Sequence, residues 1–190
     1  MKVKENAKVK LLKTASRLFQ LQGYHGTGLN QITKESGAPK GSLYYHFPNG
    51  KEQLALESVK FTAESVAEQI AVGLQQSTEP VKAIQDFIND LADRFTKESA
   101  KDGIPIAAIA LETSLTSETL RKACQTAYGS YQAIFTKKLM DAGFDEPKAK
   151  QLGVFINATI EGAFLLSFTT GNSQPLQIAA QQIPILLKRS

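Results

Sequence analysis

The apolar positions of this chain recur at helical spacing almost throughout. Between residues 5 and 22, Leu11, Leu12, Ala15, Leu18 and Phe19 fall on one face while Lys8, Lys10, Lys13 and Arg17 fall around the other, which predicts an amphipathic helix. Leu29 and Ile32 repeat the i, i+3 spacing over a shorter segment opened by Thr27, whose hydroxyl is expected to cap it. Gly37 stops that segment, because glycine accepts the left-handed conformation that ends helices. Pro39 suits the first position of the next, where its missing amide hydrogen is not needed. The restarted helix, 39 to 46, keeps Leu43 and Phe47, four apart, as inward anchors. From Lys51 a long helix is expected to about Ala71, carrying Leu54, Val59, Phe61, Val66 and Ile70. Further helices are predicted near 79–98, 103–112, 116–141, 145–170 and 174–188, separated by Gly, Pro, Asp and Ser. No strand period competes, so the chain reads as all-α, with a three-helix helix-turn-helix head at 1–50 and a helical body at 51–190.

The restarted helix is short, basic and aromatic, and almost everything on it except its two anchors can hydrogen-bond. A helix of about two turns is unstable alone in water, so neighbours must hold it while its polar side stays free for a partner. Lys40, Tyr44 and Tyr45 suit phosphate oxygens, whereas Gly41 and Ser42 let the backbone approach base edges in a major groove. Charge agrees with that partner. Residues 1–60 carry ten Lys/Arg against four Asp/Glu, and residues 61–190 carry twelve against fourteen, so the overall net charge of +4 belongs to the head.

These residues resemble the TetR family of bacterial transcriptional regulators. The likeness runs through Gly23-Tyr24, Thr27, Ile32, Lys40-Gly41-Ser42-Leu43-Tyr44-Tyr45-His46-Phe47 and Lys51-Glu52-Gln53-Leu54, a string specific in both length and spacing. It implies DNA contacts from Thr27, Ala38, Pro39, Lys40, Gly41, Ser42, Tyr44, Tyr45, His46 and Lys51. Ala38-Pro39 stands where the family usually offers Val-Ser, which removes one hydroxyl. Pro48-Asn49-Gly50 is one residue longer than the usual link. With Gly-Ile-Pro-Ile-Ala-Ala at 103–108 and Ala-Leu-Glu at 110–112, that insertion is similar to the LmrA/YxaF subgroup, whose members repress drug-efflux or detoxifying genes.

The body shows no Gly-rich nucleotide loop, no ligand cluster of His, Asp and Glu, and no spacing for a Ser-His-Asp triad, so no enzyme, metal or cofactor is expected. His25 and His46 are the only histidines, and both lie in the head. Cys124 is alone, which excludes an internal disulfide, and it reads as a small helix residue. The start Met-Lys-Val-Lys-Glu-Asn lacks the apolar stretch of a secretory signal, so a cytoplasmic protein is expected. The most apolar run, Val154 to Phe168, is expected to be too short for a bilayer and to form a buried helix, with no membrane partner.

Aromatic residues in the body are most simply core packing. Glu161 is different, because a carboxylate within Phe155-Ile-Asn-Ala-Thr-Ile-Glu-Gly-Ala-Phe must be paired, at an interface or facing a polar cavity. An effector site is therefore expected from Phe87, Glu112, Tyr128, Tyr131, Asn157, Glu161 and Phe164, and the resemblance points to an aromatic or polycyclic small molecule. The family architecture further implies a homodimer through the last two long helices. Gly153, Ala158, Gly162 and Ala163 are small enough for close approach, and Ile178 and Ile183 are too apolar for a solvent-exposed tail. The expected protein is a repressor of double-stranded operator DNA released by such an effector. A helical protein recruiting another protein, or an enzyme using the body cavity, explains the basic aromatic helix less economically.

Overall fold

Asn6 opens the fold: its side-chain carbonyl accepts the Lys8 amide at 3.1 Å and starts the first helix, α1 (Ala7–Gly26). In this computed structural model, which describes residues 6–97 and 106–188, the chain continues as α2 (Leu29–Ser36), α3 (Lys40–His46), α4 (Gly50–Gln75) and α5 (Pro80–Lys97). It closes with α6 (Ala107–Thr113), α7 (Glu118–Asp141), α8 (Glu146–Thr170) and α9 (Gln174–Leu186). No strand occurs among the described residues, as the helical periodicity predicts. The expected start of the first helix at residue 5, residue 98 and the 103–105 part of the expected 103–112 helix lie outside the described residues.

Two compact units emerge from the contacts. The first comprises Met1–Ser65 and Asp102–Ala127; the second comprises Val66–Lys101 and Tyr128–Ser190. A cut at residue 50 follows the sequence, whereas by contact the first unit keeps the start of α4 and also takes α6.

The first unit is built on α1, whose Leu11, Ala15, Leu18 and Phe19 are buried together with Ile32, Leu43, Phe47 and Leu54. That is the inward face read from periodicity. Lys8 pairs with Glu57 at 2.7 Å and Arg17 with Glu35, so two of the basic positions on the outer face of α1 are neutralised within the unit. Helical geometry stops at Gly23, where φ is 73° and ψ 177°, next to the expected end at 22, and the last residues of α1, to Gly26, follow that break.

The second unit buries Ile84, Phe87 and Ile88 of α5, Tyr131 and Phe135 of α7, and Ile156 and Ile160 of α8. Phe87 meets Phe135 with ring centroids 6.2 Å apart, and a side chain at Gly73 would come within 2.5 Å of the Phe87 ring. Asp145 caps α8 by accepting the Lys148 amide at 3.1 Å, and Gly171 ends it in the left-handed conformation. At 25 residues, α8 as a whole is long and apolar enough to cross a membrane by length and composition, because it extends beyond the apolar run Val154 to Phe168 at both ends. Its buried face, from Ala149 through Ile156 and Ile160 to Ser167, packs inside the unit as the core helix that periodicity suggested.

Candidate nucleic-acid interface

The turn between α2 and α3 is made by local chemistry. Ser36 Oγ donates to the Thr33 carbonyl at 3.1 Å and accepts the Ala38 amide at 3.2 Å, and Gly37 takes φ 63°. Pro39 then sits at φ −56°, ψ 140°, just before the helix rather than as its first residue, and the Ser42 amide bonds its carbonyl at 2.8 Å. With Leu43 and Phe47 held at 1% and 0% exposure, the opposite side of α3 is fixed outward. Tyr45 is 81% exposed and Tyr44 54%, and Lys40 and Gly41 are exposed beside them. A side chain at Gly41 would meet nothing within 4 Å, so a partner's surface can reach the backbone there. Lys40 has no acidic partner among the described residues. This is an exposed face of one cation, two phenols and bare backbone on a rigidly anchored helix, a combination suited to phosphate contact and close approach to bases.

Three expected contact residues are placed otherwise. Thr27 is 1% exposed, and its hydroxyl donates to the Gly23 carbonyl at 2.8 Å instead of capping α2, whose N-cap is Gly28. The Ala38 side chain is buried at 8% exposure. Lys51 is turned back: its Nζ donates to the His25 carbonyl at 3.4 Å and lies 4.7 Å from the Tyr24 ring centroid, with partial burial lowering its pKa against the opposing pull of Glu112. His46 is half-buried with its ring edge-on to Tyr45 at 4.9 Å. Sequence reasoning missed the cluster of Tyr24, His25, Lys51 and Glu112, which no periodicity signals because its bonds run to backbone atoms at the break of a helix.

In the second unit, Tyr128 Oη donates to Glu161 Oε2 at 3.4 Å, and Tyr128 and Tyr131 meet edge-on at 6.0 Å. Burial pushes the Glu161 carboxyl up to about 7, and the Tyr128 hydrogen bond only partly offsets it. Asn157 is buried on α8, and Phe164 packs toward Phe95 at 6.5 Å. Phe87 belongs to the core with Gly73 and Phe135. Glu112 does not join Glu161: it lies in the first unit, where it accepts the His25 amide at 2.7 Å, and this corrects its assignment to an effector site. Cys124 is buried with its thiol pushed up to about 11 by desolvation, as fits an inert core residue.

The expected dimer residues divide between the two sides of their helices. Gly153 faces α7, where a side chain would strike Thr136 Oγ1 at 2.4 Å; Ala163 is 7% and Ile183 0% exposed. These three belong to packing within the unit, which corrects their placement in a seam. Ala158, Gly162 and Ile178 lie on exposed sides of α8 and α9, near Val154, Phe155, Leu165 and Leu166 on α8 and Ile185 on α9.

An all-helical protein carrying a helix-turn-helix is the class these elements define. Residues 11–57 match the profile of bacterial regulatory proteins of the tetR family, and residues 80–182 match that of the transcriptional regulator LmrA/YxaF-like C-terminal domain. Among relatives, the chain is 51% identical to YxaF of Bacillus subtilis, an HTH-type transcriptional regulator, over 97% of this chain and 96% of that protein. It is 50% identical to the HTH-type transcriptional regulator LmrA of the same organism, over 97% and 98%. A crystal structure of a TetR transcriptional regulator from Legionella pneumophila superposes with a TM-score of 0.85 at 20% identity, covering 99% of this chain and 100% of that one, which supports the fold. The chain belongs to the TetR family and carries an LmrA/YxaF-like C-terminal domain. It is a transcriptional regulator and not an enzyme.

Proposed function

We propose that this regulator is a homodimeric repressor of genes for drug efflux or detoxification, released from its operator by a small aromatic effector and acting in the cytoplasm. The observation that carries the DNA-binding part is the outward face of α3, with Lys40, Tyr44 and Tyr45 exposed over the buried anchors Leu43 and Phe47. A two-fold dimer would offer two such helices to successive major grooves of a roughly palindromic site. The apolar outer sides of α8 and α9 support self-association, because Phe155, Leu165, Leu166 and Ile178 are each about half exposed in one protomer. For the effector, Tyr128, Tyr131 and Glu161 combine two aromatic rings with a carboxyl that can hold a proton near neutral pH, a group able either to donate to or accept from a ligand.

The test is selection of bound duplexes from a random pool by the purified protein, followed by a reporter gene placed behind the selected sequence. Repression by the wild-type protein and release by aromatic compounds are the expected results. Activation of the reporter would overturn the repressor reading, and a bound compound that leaves the complex intact would overturn the effector reading.

A further inference from the structure

The break at Gly23, inside the last turn of α1, is held by side chains from outside the helix-turn-helix. Gly23 adopts φ 73°, ψ 177°, a region open essentially to glycine alone. A Cβ at that position would lie 1.8 Å from Glu112 Oε1, so the carboxylate of α6 occupies the space a side chain would need. The same carboxylate accepts the His25 amide at 2.7 Å, while Lys51 from α4 donates to the His25 carbonyl at 3.4 Å. Both backbone groups of His25 are therefore taken by other elements. Two residues further on, Thr27 closes the bend by donating to the Gly23 carbonyl at 2.8 Å. A second tie joins the residues beyond α6 to α4, since Ser117 Oγ donates to Glu52 Oε1 at 2.5 Å. The short α6 is itself entered through Ile106 at φ 55°, a conformation unfavourable for a β-branched residue, so its place depends on such contacts rather than on helix propensity.

Glu112 belongs by sequence to the LmrA/YxaF-like domain at 80–182, yet by contact to the unit that contains α1, α2 and α3. We propose that Glu112 is a positioning residue for operator binding: by holding the His25 amide against the Gly23 break, it sets the angle at which α2 and α3 leave α1. The inference rests on the reading that α3 binds the operator. The Glu112 carboxylate bonds the broken end of α1 and not α3, so its loss changes the pose of the reader and not its chemistry.

The experiment measures binding of full-length variants to the duplex selected by the wild-type protein, across salt concentrations, together with hydrogen exchange at the His25 amide. Glu112→Ala removes the acceptor, and Glu112→Asp keeps the charge but is one methylene too short; both should bind about tenfold more weakly with faster His25 exchange. Glu112→Gln retains an acceptor oxygen at the right distance and should stay within about threefold of wild type with His25 still protected. The salt slope should be unchanged in all three, because no phosphate contact is lost. Should Glu112→Ala fail to fold, the contrast between Asp and Gln decides. Ala and Asp variants binding within about twofold of wild type, or a Gln variant as weak as the Asp variant, would overturn the assignment. A wild-type protein that selects no duplex overturns the operator reading, and this inference with it.

Discussion

Glu161 shows how one residue in an apolar helix carries information about both stability and ligand chemistry. Its carboxyl titrates at about 7 in the folded protein against an ordinary 4.5, because burial penalises the charged form more than the Tyr128 hydroxyl compensates. Between those values the folded state holds a proton that the unfolded chain has released. The stabilising contribution of the neutral form is therefore complete below about 4.5 and is lost as pH rises through about 7, amounting to at most ~3 kcal/mol. Glu161→Gln removes the titration, so wild type should lose stability relative to this variant between pH 4.5 and 7 in urea melts, and the difference should level off above that. Parallel stability curves for the two proteins would show that Glu161 is solvated as an ordinary carboxylate. The need for special surroundings at Glu161 was legible in the sequence, since the apolar residues on either side of it demand a partner. Its partner was less so: Tyr128 stands 33 positions away, and only the packing of α7 on α8 brings the two together. Glu112 had the same local pattern and a different fate, because a charged residue after an apolar run can turn to any donor that the fold supplies.

At the scale of elements, the reading of α3 depends on which side the anchors hold inward, and the i, i+4 pair Leu43 and Phe47 makes that legible in the sequence. A prediction follows for the helix as a unit. Tyr45→Ala should weaken binding to every duplex alike. Lys40→Ala should also lower the slope of log affinity against log salt by about one unit, as one phosphate contact is lost. A double variant that binds its selected duplex like wild type at all salt concentrations would remove α3 as the reader. The misplaced DNA-contact residues lie at the ends of elements or between them. Thr27 looked like a cap because threonine before an apolar pair usually caps; here the left-handed break at Gly23 exposes a carbonyl four residues back, and the hydroxyl takes that instead. Lys51 looked like a phosphate contact by position in the family string, but Tyr24 and the His25 carbonyl lie within its reach. Helix capping and side-chain reach are settled by tertiary neighbours, which periodicity does not encode.

For the whole molecule, the two sides of α8 offer different answers to how two copies would meet. Small residues mark close helix approach, yet they do so equally for packing inside a protomer and between protomers; Gly153 and Ala163 proved to serve the first. The outer side of α8, with Ala158, Gly162 and Leu166, and the outer side of α9, with Ile178, remain for a second copy. A charge introduced there would be stranded without a partner in the dimer and well solvated in the monomer, so Ala158→Glu combined with Ile178→Glu should shift the protein to monomers in sedimentation while its helical melting stays cooperative. Ala163→Glu should instead unfold the protomer, because the carboxylate would enter the dry interior of the second unit. Operator affinity separates the cases further. The monomeric double variant keeps an intact α3 and should still bind a single half-site weakly, having lost the gain from two linked readers, whereas the unfolded variant should bind nothing. A doubly charged variant that sediments as a dimer of unchanged stability would place the seam on a different surface.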